Sequence, residues 1–184
     1  MIQFYKHYML SIVTVFTVAM FFSCKDNYNE VQNLGISENE PIGEAENFNL
    51  KYTDSGRVTR HLIGKKMFNY TNRHFPYYEF IDGVVMNLFD KEKKKSTIVS
   101  DYAIVYDKTG IIDLQGNVEI ITHNGDVLKS QQLYFDQKRK WLFTNEPVTY
   151  ISGEDIIHGN GFDSNKSFSN AEVLEVTGIF SVED

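Results

Sequence analysis

The chain has 184 residues, enough for one domain, with 18 Lys and Arg against 25 Asp and Glu and a formal net charge of −7. That acidic balance excludes nucleic acid as a partner and excludes general attraction to anionic membrane surfaces, since both need clustered cations. Aromatics make up 14% of the residues, proline occurs 3 times and cysteine once, so no disulfide is available and the folded part must be sheet held by packing.

At the N-terminus, Lys6 and His7 precede an apolar stretch from Tyr8 to Phe22 that ends in Phe21-Phe22-Ser23-Cys24. A charged start, a short apolar run and a small residue before the cut make residues 1–23 an export signal, shorter than the roughly twenty apolar residues of a spanning helix. Cys24, directly after Ser23, resembles the cysteine of a bacterial lipobox. It is therefore the expected lipidation site, with palmitate-type acyl chains attaching the protein to a membrane. Residues 24–44 carry Asp26, Glu30, Glu38, Glu40 and Glu44 and end near Pro41, which predicts a tether.

From residue 45 to 184 the pattern is that of strands. Phe48, Leu50 and Tyr52 share a face and lead through Asp54-Ser55-Gly56 to Val58 and Leu62, a hairpin by alternation and turn chemistry. A strand over 65–70 runs into a loop around Phe75-Pro76, and Val84, Met86 and Leu88 alternate after Asp82-Gly83. Lys91 to Lys95 forms a polar tip before the next strand. Tyr102, Ile104 and Tyr106 then share a face, as do Ile112, Leu114, Val118 and Ile120 across the turn at Lys108-Thr109-Gly110. After His123-Asn124-Gly125-Asp126 come Leu133 with Phe135, Trp141 with Phe143, and Val148 with Tyr150. The tail, Val173 to Phe180, predicts a last strand whose open edge is a template for strand addition.

The unit strand, aromatic–Asp turn, strand, then Gly-Asn-Val or an equivalent recurs at a spacing of roughly thirty residues. One copy is Tyr102 to Val118; the next runs from Gln131 through Asp136, Trp141 and Phe143 to Val148. A hairpin that cannot bury its apolar face alone must stack on copies of itself, so the repeat predicts an elongated all-β body with a continuous interior face.

No catalytic constellation is present. Gly-x-Ser-x-Gly, His-Glu-x-x-His and Walker motifs are absent, and His61, His74, His123 and His158 are scattered without ligand spacing. The residues predict no enzyme activity, no metal site and no cofactor.

Tyr-x-x-x-Tyr-Asp at 102–107 followed by Leu-x-Gly-Asn-Val at 114–118, in an exported and tethered chain, resembles the lipopolysaccharide-transport proteins of the LptA/LptC type. The stretch from Asn49 to Arg57 and the single N-terminal anchor are similar to the LptC branch. The resemblance implies an antiparallel β-jelly roll folded like a taco, whose apolar groove shields the acyl chains of lipid A. It also implies partners: lipopolysaccharide, an LptBFG-type ABC transporter and an LptA-like jelly roll, at the periplasmic face of the inner membrane. The lipobox departs from the transmembrane helix of many relatives, which leaves the outer membrane as the alternative location.

The residues expected to line the groove are Phe68, Tyr70, Leu88, Ile104, Tyr106, Ile112, Leu114, Leu133, Phe135, Trp141 and Phe143. Val173, Val176 and Ile179 mark the expected partner edge. Alternation identifies a buried face without saying whether lipid or protein buries it. The alternative function is a structural or glycan-binding envelope lipoprotein, with aromatics outward and a sealed interior.

Overall fold

The computed structural model describes residues 40–177. The expected export signal, Cys24, most of the expected tether and Ile179 lie outside the described residues. The strands are β1 (Gly43–Asp54), β2 (Arg57–Asn69), β3 (Tyr77–Phe80), β4 (Val84–Phe89), β5 (Lys95–Ser100), β6 (Tyr102–Tyr106), β7 (Ile111–Ile121), β8 (Val127–Asp136), β9 (Trp141–Ser152), β10 (Asp155–Asn165) and β11 (Ala171–Val173). All belong to one antiparallel sheet, as the all-β jelly-roll expectation requires.

Two long strands organise this sheet. β2 pairs with β4 through Arg60 to Gly64 and with β3 through Met67 to Asn69. β7 pairs with β6 through Ile112 to Gln115 and with β5 through Glu119 to Ile121. Two short pairs, β4–β5 and β3–β6, therefore lie end to end between β2 and β7. β1 forms one edge and β11 the other.

Neighbours across a ladder point to the same side of a sheet. One line of partners runs Leu50, Leu62, Met86, Ile98, Ile120, Leu128 and Tyr150. A second runs Met67, Phe80, Ala103, Leu114 and Leu133. Both belong to one hydrophobic cluster, in which Met86, Ile98, Ile120 and Leu133 are fully buried. Each such side chain contributes about 1.5–3 kcal/mol by leaving water, and in a chain without a disulfide this inner face is the main source of stability.

The Gly-Asn of the repeat has a specific job. Gly116 and Asn117 both take positive φ, 72° and 44°, at a register shift in the β7–β8 pairing. Glycine meets this at little steric cost, and asparagine is among the residues that tolerate it best. The Asn117 amide donates to Asp101 Oδ2 at 2.6 Å, and Asp101 N donates to Gly116 O at 3.0 Å. The bulge marks the place where β7 passes from β6 to β5. A second register shift, at Asn160/Phe162 in β10, adds to the bending, because bulges increase local twist.

Two sequence expectations change here. Tyr77–Phe80 is a strand, where sequence places it in the loop around Phe75-Pro76; four residues are too few for a periodic signal. More consequentially, Ile104 faces Asp113 and Val105 faces Ile112 across the β6–β7 ladder. Ile104 and Ile112 thus point to opposite sides of the sheet. Ala103 and Val105 take the inner face instead, since β6 is apolar on both sides and bulk misidentifies the buried one.

The β8–β9 turn hangs on one buried carboxylate. Asp136 Oδ1 accepts from Lys138 N at 2.9 Å and Arg139 N at 2.8 Å, and Oδ2 accepts from Arg139 Nη1 at 2.9 Å. These bonds, the Arg139 amide first, hold its pKa below the ordinary carboxylate value. The stability it supplies is therefore fully present above the unfolded-state carboxylate pKa, about 4, and is lost as the pH falls through the lower folded-state value. Asp136→Asn should be less stable than wild type at neutral pH, and the gap should narrow on acidification. Urea unfolding of both proteins across that range measures it.

Candidate functional site

At one end of the inner face the core does not close. A cavity of about 500 Å³ is walled by Leu50, Met67, Tyr78, Phe80 and Val105 and reaches the surface at Tyr52, Asp107 and Lys138. Phe80 forms its floor, packed against Phe48 with ring centroids 5.2 Å apart. The volume is in the range of ligand pockets, and the lining is mainly apolar.

Arg60 and Gln137 line this cavity and also a smaller one of about 230 Å³, whose other walls include Leu88, Phe135, Lys140 and Lys166. The Arg60 guanidinium lies 4.0 Å from the centre of the Tyr52 ring, and its Nη1 donates to Gln137 Oε1. Lys166 Nζ donates to Thr59 O at 2.9 Å, tying β2 to the segment after β10. Burial lowers the pKa of Arg60. Burial also lowers that of Lys166, helped by the positive charges of Lys140 and Arg60.

The residues predicted to line a groove divide between the two faces. Leu88, Ile112, Leu114, Leu133 and Phe135 are on the inner face, each at most 2% exposed and packed by protein, with Leu88 and Phe135 also reaching the smaller cavity. Phe68, Tyr70, Ile104, Tyr106, Trp141 and Phe143 are on the opposite face. There Phe68 lies opposite Glu79, Ile104 opposite Asp113 and Phe143 opposite Asp163. Tyr106 also touches the rim of the larger cavity.

That opposite face is aromatic and polar together. Tyr70 stacks on Tyr77 at 4.8 Å and Tyr134 on Phe143 at 5.3 Å. Asp113 is buried among them, accepting from Gln115 Nε2 at 2.7 Å and Gln132 Nε2 at 2.8 Å. Burial, and then the Asp113 charge, raise the pKa of both Tyr106 and Tyr134. The Tyr102 hydroxyl donates to Glu79. The Tyr102–Glu79 bond shows the advantage of placing a tyrosine on this face, where the phenol reaches a polar partner.

Sequence reasoning missed Leu50, Met67, Tyr78, Phe80 and Val105 as cavity walls. Leu50 carried the signal of alternation, whereas Phe80 needed the short strand β3 to be recognised.

At the C-terminal edge, β11 pairs with β10 through Val173 opposite Phe162. The chain continues along β10: Asn160 N donates to Leu174 O at 3.0 Å, Leu174 N to Gly161 O at 2.9 Å and Thr177 N to His158 O at 2.8 Å. Val176 is exposed on this segment. Among the described residues, no three His, Cys, Asp or Glu side chains converge as a metal set.

Comparison with known proteins adds one match. A search of the curated proteins finds none, but the family model for lipopolysaccharide-assembly, LptC-related proteins matches residues 10–181. Spanning nearly all of the sequence, and joined to a single antiparallel sheet with an apolar inner face, that match shows that the chain belongs to the LptC family of lipopolysaccharide transport.

Proposed function

We propose that the chain takes lipopolysaccharide by its acyl chains at the open end of the inner face, receives it from an LptBFG-type ABC transporter and passes it to an LptA-like jelly roll. The observation that carries this reading is the apolar cavity of about 500 Å³ continuous with the core. Acyl chains entering it gain roughly 25 cal/mol for each Å² of apolar surface removed from water, with no charged pocket needed. No side-chain chemistry is asked of the protein. The lipidated Cys24 and the tether hold it at the periplasmic face of the inner membrane. The segment bearing Val173, Val176 and Ile179 is the edge offered to the downstream partner.

Photocrosslinking in cells tests the cavity. A crosslinker at Met67 or Tyr78 should capture lipopolysaccharide at least about tenfold more efficiently than one at Phe143 or Trp141, on the opposite face. Equal capture from both faces, or capture from neither beside a working control, would count against the cavity. The glycan-binding alternative draws support from the outward aromatics, but it requires a sealed interior, and the open cavity opposes that.

A further inference from the structure

The cations around the smaller cavity outnumber the carboxylates on its wall. Arg60, Lys140 and Lys166 line it together, with Asp54 as the one carboxylate on its wall. Asp54 Oδ1 already accepts from Ser55 Oγ at 3.1 Å. Among the described residues, the ion pairs are Lys66 with Glu44, Lys94 with Glu92, Lys129 with Glu119 and Arg139 with Asp136. None involves the three cations. Asp90 acts on Lys166 only as a minor charge, and Lys138, on the larger cavity, donates its ammonium to Lys108 O at 2.8 Å.

Arg60 is the most telling member. Its Nε is buried without a hydrogen-bond partner. Leaving such a donor unpaired is unfavourable, the more so for a charged group. Lys166 uses one donor on Thr59 O and retains two others. In a chain of net charge −7, three neighbouring cations with spare donors are a local excess. They adjoin the apolar cavity, because Arg60 and Gln137 belong to both walls.

We infer that Arg60, Lys140 and Lys166 form a phosphate clamp that holds the anionic head of an acylated amphiphile whose chains occupy the adjoining apolar cavity. The inference rests on the lipid-carrying reading and adds a second recognition element to it. Guanidinium and ammonium donors form charge-assisted bonds to phosphate oxygens, about twice as strong as neutral ones. The anion would also relieve the mutual repulsion of the three cations. Since Lys166 follows β10 and Arg60 lies on β2, a bound phosphate would join both sides of the opening.

The test uses the purified full-length chain and three probes: hexa-acylated diphosphoryl lipid A, the same lipid with both phosphates removed, and inorganic phosphate. Wild type should prefer the phosphorylated lipid at least about tenfold, and Lys140→Gln with Lys166→Gln should abolish most of that preference. Affinity for the dephosphorylated lipid should stay within about twofold, and thermal unfolding should show that the double variant is folded. Arg60→Lys, which keeps charge but loses the planar fork, should fall between the two. Equal binding of both lipids by wild type would overturn the clamp while leaving the acyl cavity standing. Binding of neither lipid would overturn both. Inorganic phosphate competing as well as the lipid would reassign the cations to the free ion and overturn the head-group assignment.

Discussion

Replacing Phe80 by alanine should lower the free energy of unfolding by about 3–5 kcal/mol, the usual cost of removing a buried phenyl ring without full collapse of the space. Phe80 is 2% exposed, lies between Met67 and Ala103 on the inner face and packs on Phe48. Because it also floors the apolar cavity, its removal enlarges that cavity. Bound lipid should therefore restore more stability to the variant than to wild type. Phe143→Ala supplies the comparison: that ring is partly buried on the opposite face and stacks on Tyr134, a contact worth about 0.5–1.5 kcal/mol beyond its smaller buried area, so its loss should cost less in total than that of Phe80. Denaturant unfolding of both variants measures the difference, and equal costs would contradict the assignment of faces.

Gly159→Ala should detach the C-terminal segment from β10. A Cβ at this position would lie 2.4 Å from the Leu174 carbonyl oxygen and 2.5 Å from Val173 Cγ1. The first is backbone, so the segment itself must move, and overpacking of this kind costs about 1–3 kcal/mol. The amide bonds of Asn160, Leu174 and Thr177 along β10 depend on that close approach. Hydrogen exchange at these amides should accelerate by roughly tenfold or more, while the amides of Ile98 and Ile120, in the central strands, keep their protection. Unchanged exchange at Leu174 would show that the segment adapts without leaving β10. On the proposed function the same variant should also weaken capture of the downstream jelly roll, since the partner edge would no longer be held in line.

Much of the fold was legible because its signals are local. Alternation at Leu50, Leu62, Val84, Met86 and Leu88 identified inner-face residues correctly, since Asn49, Lys51, His61 and Asn87 interrupt the apolar run on the other side. The turn at Ser55-Gly56 announced itself by composition, and both residues take positive φ there. At β6 the same reasoning failed: with Tyr102, Ile104 and Tyr106 alternating against Ala103 and Val105, both faces are apolar and periodicity loses its sign. The cavity was less legible than the core. Its walls come from β1, β2, β3 and β6 and from the turn after β8, and no local pattern marks residues that meet only when a sheet bends.

The amino-acid sequence by itself determined the sheet, its turns, and the Gly-Asn unit that carries the family likeness. All of these are short-range properties, set by side-chain alternation and by the backbone angles a few residues tolerate. Only the tertiary structure decided which side of β6 faces inward, that Gly116-Asn117 marks the passage of β7 from one partner to the next, and that Arg60, Lys140 and Lys166 meet beside an apolar opening. These depend on ladder register and on contacts such as Lys166 to Thr59, where residues far apart in the chain are brought together by the bending of one continuous sheet.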